Sequence, residues 1–448
     1  MKRWTTSRVT RALGVTATAE AEFSSISTDT RTLEPGALFV ALAGERFDGH
    51  EFLEEARARG AAGAVVRRGT PPLEGVITFE VDDPLRALGL LARERRREIT
   101  GPVVGVTGTN GKTATKEMLD AVLGTRWQVH ATRDNLNNLV GVPLTILSAP
   151  GETDALVVEA GANMVGEIGR LREIIEPDVA VITNVSTGHT EGFGSLEGVL
   201  EEKVALLDGA SLAVVGTEPP ALAARSRWDI ERVVVAGCGA GADVRPDGWG
   251  VREDGRGWLR FRGESVTLPV FGHHQVENAM LALAVGIELG VPVVPGVAAL
   301  GKVQLPPGRC QVRRFEDLTV LDDSYNANPA SVAALLETAR VMRRSRRMIV
   351  VLGSMLELGP VSDALHREVA DRVMEQRPDL VAAVGAFADA FERHRPQLGD
   401  RLLTAGEPDT LGRELARRLT GGELILVKAS RGVGLERVIP HLIPDGDL

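Results

Sequence analysis

Residues 103–118, VVGVTGTNGKTATKEM, limit what this chain can fold into more than any other stretch. An apolar, β-branched run ends at Gly105–Thr107, a Gly-rich turn follows, and Lys112-Thr113 opens a helix-like segment that stops at Gly124. A strand handed through a glycine turn into a helix start is a building block of parallel α/β sheets. It is also an anion site. Gly108 and Gly111 allow backbone amides close to a polyphosphate, and the helix N-terminus adds partial positive charge. In this pattern Thr109, Asn110 and Ala114 complete the loop, Lys112 meets the β and γ phosphates, and Thr113 offers a hydroxyl to Mg²⁺. Val106 stands at the first glycine position of G-x-x-x-x-G-K-[ST]. The plainer alternative is a strand-helix turn with Lys112 on the surface.

The same alternation continues. ALVVEAG, DVAVITNV, LAVVG and RVVVAG are apolar runs of strand length separated by helical patterns. Runs apolar on both faces predict a parallel sheet covered on both sides. A break rich in Gly and charge follows at about 237–270, and VQLPPGRCQV reads as a linker. A second βαβ series then holds LTVLDDS, MIVVLG, LVAAVG and LILVKAS, with a helix predicted after Pro329. The first 100 residues make a smaller α/β piece. The charge run RERRR at 93–97 reads as the solvated end of a helix. The fold class expected is therefore α/β in three domains: a small N-terminal α/β domain (1–100), a central phosphate-loop domain (101–308) with a parallel sheet and flanking helices, and a C-terminal Rossmann-like domain (309–448).

Acids outnumber bases 61 to 51, for a net charge of −10. That argues against a general nucleic-acid binder, though not against a small anionic ligand. Two cysteines cannot make a disulfide framework or a four-thiolate zinc site, and a reduced cytosolic setting is expected. MKRWTTSRVTRALGV has no continuous apolar core, so no signal peptide is expected, and no run approaches the ~20 residues of a membrane helix.

In open α/β sheets, ligands meet the carboxyl ends of the strands. Glu159 and Asn184 end two of the predicted strands, and His189 follows five residues after Asn184. Glu159 and His189 are candidate metal ligands. Mg²⁺ prefers oxygen, so a histidine ligand suggests a second, less demanding metal site.

Taken together, these residues resemble the Mur ligase family over nearly the whole chain, and within it the MurF type. TGTNGKT is similar to that family's phosphate loop. ISTDTRTLEPGALFVALAGERFDGHEFL (26–53), DNLNNLVGVPLTIL (134–147) and DDSYNANPAS (322–331) carry the narrower match. The resemblance implies that Thr28, Asp29, Thr30 and Arg31, with Gly44, Asp48, Gly49 and His50, hold a UDP-sugar. It implies that Asn135, Asn137 and Asn138 face the substrate, and that Glu159, His189 and Thr113 hold Mg²⁺ at two sites. Lys203 falls at the position of the family's carbamylated lysine. By residue type alone, a helical lysine flanked by Glu201 and Glu202 is an exposed surface residue.

Further along, FGHHQVENAM is similar to the family's adenine-side motif, with Gly272, His274 and Asn278 in place and Gln275 where an Asn is usual. Arg309 matches a phosphate-facing arginine and Asp323 a ribose-binding aspartate. Tyr325, Asn326 and Asn328 match the dipeptide and nucleotide side of the last domain, and His366, Ser430 and Arg431 its remaining closure contacts. The resemblance implies an ATP-dependent amide ligase, with Lys112, Glu159, His189 and Lys203 at its chemical centre. It would join D-alanyl-D-alanine to UDP-N-acetylmuramoyl-tripeptide through an acyl phosphate, as a cytoplasmic monomer with no membrane insertion. A relative adding one amino acid, diaminopimelate or lysine, and a phosphate-loop binding ATPase remain the alternatives.

Overall fold

The computed structural model describes the chain apart from residues 1–2, 18, 45–46, 187–189, 316–317 and 444–448. It divides into two compact units. One comprises residues 1–105, 127–162 and 166–179, the other 106–126, 163–165 and 180–448.

The first unit begins with a four-stranded parallel sheet in simple order: β1 (Ile26–Ser27), β2 (Leu38–Val40), β3 (Gly63–Arg67) and β4 (Ile77–Val81). Its two central strands are apolar on both faces because both are covered. Trp4, Phe23, Leu38, Phe79, Leu88 and Leu91 fill one side, and Phe39, Leu53, Ala64 and Val66 the other. Asp83 caps helix α1 (Pro84–Arg96) by accepting from the amides of Leu85 and Arg86. Proline at N1 suits that start, because its missing N–H would have no helical partner.

The charged end of α1 is not solvated as expected. Arg95 is 2% exposed and donates to the carbonyls of Ala149 and Pro150 at 3.0 and 3.1 Å. Arg96 donates to the carbonyls of Ile175 and Glu176. These oxygens close helix and loop ends that would otherwise be left with unpaired acceptors, and a guanidinium fork reaches several at once. Arg97 alone fits the expectation, exposed and paired with Glu176 at 2.5 Å.

The strand β5 (Val103–Thr107) is buried throughout and contributes residues to both units. Helix α2 (Lys112–Leu123) follows it and ends at Gly124. In the first unit, β6 (Val129–Ala131) pairs parallel with β7 (Ala155–Glu159). In the second, β8 (Val179–Ile182) is followed by α3 (Leu196–Val204), and β9 (Leu212–Val215) pairs parallel with β10 (Val233–Val235).

The break expected near 237–270 is largely sheet. β11 (Gly248–Val251), β12 (Arg256–Phe261) and β13 (Glu264–Phe271) form an antiparallel three-stranded sheet. Its middle strand alternates, with Gly257, Leu259 and Phe261 buried and Arg256 and Arg260 exposed. Helix α4 (His274–Glu288) follows. The expected linker also ends in a strand, since Gln311 and Val312 open β14 (Gln311–Phe315).

The C-terminal sheet has the order β14-β15-β19-β16-β17-β18, with β15 (Leu318–Asp323), β16 (Met348–Leu352), β17 (Leu380–Val384), β18 (Leu402–Ala405) and β19 (Leu424–Lys428). All neighbours are parallel except the antiparallel edge strand β14. Helix α5 (Pro329–Arg343) lies on one face, where its Val332, Leu335, Leu336 and Ala339 join the core. Leu411, Leu415, Leu435 and Val438 cover the other face.

Candidate active site

The phosphate loop belongs to the second unit and is anchored at every turn. Thr109 N donates to the carbonyl of Asn184 at 2.9 Å, and Asn110 N to Asn184 Oδ1 at 3.1 Å. The carbonyl of Asn110 accepts from Thr183 Oγ1 at 2.6 Å and from Asn184 Nδ2 at 3.0 Å. Ser186 N donates to Thr109 Oγ1 at 3.0 Å. Lys112 Nζ donates to the carbonyls of Gly108 and Thr109 at 2.9 and 3.2 Å, and Thr113 is buried at the helix start. Thr183 and Ser186 are loop anchors that no sequence motif singles out. Asn184 is visible in the sequence only as a strand end.

Two glycines are required here for different reasons. Gly108, at φ +139°, has no room for a side chain because a Cβ would overlap Thr183 Oγ1. Gly111, at φ +80°, opens α2, and a Cβ there would overlap Asn278 Oδ1. Both φ values are ones that glycine adopts at no steric cost.

Asn278 and Gln275 are buried together on α4. Asn278 Nδ2 donates to Gln275 Oε1 at 3.1 Å, and Gln275 Nε2 lies 3.2 Å from His274 Nε2. Gln275 thus orients Asn278, whose Oδ1 is turned toward Gly111. With its Nε2 accepting from Gln275, His274 carries its proton on Nδ1, which is buried without a hydrogen-bond partner among the described residues.

Other expected residues gather around Tyr325 in the same unit. The Arg309 guanidinium lies 3.9 Å from the ring centroid and that of Arg431 lies 5.6 Å from it. Both fall within cation–π range. Arg309 Nε is buried with no hydrogen-bond partner among the described residues. Asn326 is exposed. Asn328 caps α5 through Oδ1 and donates through Nδ2 to Asn110 Oδ1 at 2.7 Å. Ser430 Oγ accepts from Leu356 N at 2.9 Å and donates to the carbonyl of Ala327 at 3.4 Å. Asp323 Oδ1 accepts from Cys310 N at 2.9 Å. His366 does not present its ring to a ligand. It is 1% exposed, with Nε2 accepting from Met355 N and Nδ1 donating to the carbonyl of Ser362.

Lys203 is also in this unit, and the surface expectation for its residue type fails. It is 2% exposed, with its ammonium 5.2 Å from the Phe193 ring centroid, while Glu201 on the open side of α3 pairs with Arg225. His189 lies outside the described residues.

In the first unit, Asp29 caps a short 3₁₀ turn and forms a two-pronged ion pair with Arg31, which holds its carboxyl below the usual range. Thr30 is buried beside it and Thr28 half-buried. Asp48 Oδ1 lies 2.6 Å from His50 Nδ1, and His50 Nε2 accepts from Arg67 N at 2.9 Å. That pair of contacts fixes the tautomer with the proton on Nδ1. The bridge Ala43↔Asp48 and the hydrogen bond from Gly44 N to the carbonyl of Phe47 close the loop between them, and Gly49 lies against the backbone of Leu42.

Glu159, at the end of β7, is 2% exposed and accepts from Asn137 Nδ2 at 2.8 Å, while its amide donates to Thr132 Oγ1. Asn138 accepts from the amides of Val140 and Gly141 in the turn that leads into the helix Gly141–Leu147. Asn135 is exposed.

Comparisons with known proteins bear on the family and the fold. Residues 22–96 match the catalytic domain of the Mur ligase family, 106–286 the Mur ligase middle domain, and 308–431 the glutamate ligase domain of Mur ligases. The chain is 35% identical over 429 residues to the UDP-N-acetylmuramoyl-tripeptide–D-alanyl-D-alanine ligase of Bacillus subtilis, covering 93% of each chain. A crystal structure of MurF from Acinetobacter baumannii superposes with a TM-score of 0.90 at 30% identity, covering 99% of both chains. MurF ligase from Thermotoga maritima in complex with ADP gives 0.83 at 30% identity, covering 93% of this chain and 96% of that one. With a phosphate loop of this build and likeness along nearly its full length, the chain belongs to the Mur ligase family.

Proposed function

We propose that this chain is an ATP-dependent ligase that joins D-alanyl-D-alanine to UDP-N-acetylmuramoyl-tripeptide during peptidoglycan precursor synthesis. One observation carries the reading most. Asn110 of the phosphate loop is hydrogen-bonded to Asn328 of the DDSYNANP turn, so the triphosphate motif and the C-terminal motif are in direct contact.

A carboxylate does not acylate an amine at neutral pH, because oxide is a poor leaving group. Transfer of the γ-phosphoryl of ATP to the carboxylate oxygen gives an acyl phosphate and ADP. The free amine of D-alanyl-D-alanine attacks the acyl carbon, inorganic phosphate leaves, and the amine proton passes to solvent or a nearby base. Lys112 and the phosphate loop (residues 108–114) are assigned to the triphosphate, where preset charge stabilises the transferring phosphoryl. Asn278 and Gln275 are assigned to the adenine side, Arg309 to phosphate, Asp323 to ribose, and Tyr325, Asn326, Asn328, Ser430 and Arg431 to the nucleotide and dipeptide. Residues 28–31, 48–50, Asn135, Asn137 and Asn138 are assigned to the UDP-sugar peptide.

By residue type alone, each candidate donor suits a hard divalent cation. Thr113 offers a hydroxyl, Glu159 a buried carboxylate, and Lys203 the amine that CO₂ would convert to an anionic oxygen ligand. Burial of Lys203 supports that role, since it takes the side chain out of the solvated surface position usual for its residue type. With His189 these residues are assigned to two Mg²⁺ ions, whose charge would offset repulsion between triphosphate and carboxylate. Three functional domains (1–100, 101–308 and 309–448), a monomeric state and a cytoplasmic setting complete the proposal. Cys238 and Cys310 are free thiols, and among the described residues no helix is long and apolar enough to cross a membrane.

The test is phosphate release from ATP and Mg²⁺, with mass detection of products. UDP-muramoyl dipeptide and tripeptide are crossed with D-alanyl-D-alanine, meso-diaminopimelate and L-lysine. Turnover is expected only with tripeptide plus D-alanyl-D-alanine. Turnover with dipeptide plus one amino acid moves the chain to the neighbouring ligase type, and hydrolysis independent of both substrates moves it to a binding ATPase.

A further inference from the structure

Lys428 lies in the LILVKAS run, but none of the assignments above gives it a role. It ends β19, in register with Asp323 at the end of β15 on one side and with Leu352 at the end of β16 on the other. Its side chain is 2% exposed. The ammonium pairs with Asp323 Oδ2, donates to the carbonyl of Asn326 at 2.7 Å, and reaches the carbonyl of Asp323 at 3.5 Å. A lysine has three donors, and all three here point into residues 323–326.

A long buried lysine is costly unless its charge is answered. Asp323 answers it, and the need is mutual. Burial pushes the Asp323 carboxyl up, and Lys428 opposes that push. The other ionisable groups around the pair do not supply a cation. Asp322 is taken by Arg313 at 2.8 Å, and Cys310 and His274 are buried groups for which burial favours the neutral form. A protonated Asp323 would become a donor on one oxygen and lose acceptor capacity. As a carboxylate it keeps lone pairs beyond those taken by Lys428 and Cys310 N.

We propose that Lys428 is a positioning residue for the nucleotide: it fixes the Asp323–Asn326 turn and keeps Asp323 an acceptor for the ribose hydroxyls. This rests on the assignment of Asp323 to ribose made above. An ion pair with a purely structural role would lower the melting temperature and leave nucleotide recognition alone.

The test uses the full-length enzyme and compares wild type, Lys428→Met and Asp323→Asn, with ATP and 2′,3′-dideoxy-ATP as alternative substrates and thermal melting alongside. Lys428→Met is expected to raise the KM for ATP about ten- to a hundredfold, the range for one hydrogen bond to a charged group. Its kcat should change much less, the KM for D-alanyl-D-alanine little, and the preference for ATP over the dideoxy analogue should collapse. Asp323→Asn should lose the same preference. If Asp323→Asn keeps it, the ribose assignment is wrong and the inference goes with it. If Asp323→Asn loses it and folded Lys428→Met keeps it, the ribose assignment stands and the role of Lys428 is overturned. Should Lys428→Met fail to fold, Lys428→Gln and the double variant Asp323→Asn/Lys428→Met carry the test, since neither strands a buried carboxylate beside an apolar chain. Full ribose preference in either one overturns the proposal.

Discussion

Asn328 divides its side-chain amide between two tasks. Its Oδ1 caps helix α5 by accepting from Ser331 N at 2.9 Å, and its Nδ2 donates to Asn110 Oδ1 at 2.7 Å. Asn110 passes the link on, donating from Nδ2 to Ser186 Oγ at 3.1 Å. The two tasks can be separated chemically. An aspartate in place of Asn328 would cap the helix as well, but would set an oxygen against Asn110 Oδ1. Asn328→Asp is therefore expected to raise the KM for ATP by roughly five- to thirtyfold, the worth of about 1–2 kcal/mol. The melting temperature should fall little. A clear loss of melting temperature with unchanged KM would show that the bond braces the fold without serving the nucleotide.

Lys203 is buried against the expectation for its residue type, and that burial is where the carbamate reading can be tested. Lys203→Ala should lower turnover by about 10²–10³-fold, as loss of one preset electrostatic group does. Added formate or acetate should restore part of it by supplying the missing anionic oxygen. A variant that stays folded and is not rescued at any carboxylate concentration would remove the carbamate from the mechanism.

How much of the molecule is legible in the chain depends on the range of the interaction. The start of α2 at Lys112, its stop at Gly124, and the long buried strands are legible because local sequence decides them. The small sheet at 248–271 is hidden because glycines, arginines and a proline interrupt its apolar pattern, although β12 alternates once the pairing is known. The edge strand β14 has no fully buried residue, so its QVRRF pattern lacks an apolar face to betray it. Within the site, glycines and the lysine of the loop announce themselves. Thr183, Ser186 and Lys428 are found only by pairing across 70 or more residues, as the bonds from Ser186 to Thr109 and from Lys428 to Asp323 show. Lys203 and Arg95 break the rule that charged residues stay outside, and for Arg95 the reason lies in partners more than 50 residues away.

The run at 93–97 offers a direct comparison of a buried and an exposed arginine. Arg95 donates to two carbonyls and to Glu98 at 3.2 Å, so Arg95→Ala takes this donor from the buried carbonyl of Ala149 and from Glu98. A loss of about 2–4 kcal/mol in urea-unfolding stability is expected. Arg97, half-exposed against Glu176, should cost no more than about 0.5–1 kcal/mol on the same change. Equal effects would mean that the buried guanidinium is exchanged readily for water.

His274 gives the molecule an acid-sensitive element. Burial, with His273 and Lys428 nearby, pushes its pKa down to about 3, against about 6.5 for a free histidine. The native ring stays neutral through mild acid while the unfolded chain takes up a proton. Its contribution is thus complete above about pH 6.5 and is lost as pH falls from there toward 3, at about 1.4 kcal/mol per pH unit. His130 and His366 are shifted down by burial too and act in the same direction, so the wild-type slope alone does not isolate His274. His274→Gln does. Urea-unfolding free energies of the two proteins at pH 7.5, 6 and 5 should converge as pH drops, because the variant has one proton fewer to gain on unfolding. A difference that stays constant across this range would mean that the native ring is already protonated, which its bond to Gln275 and its buried Nδ1 argue against.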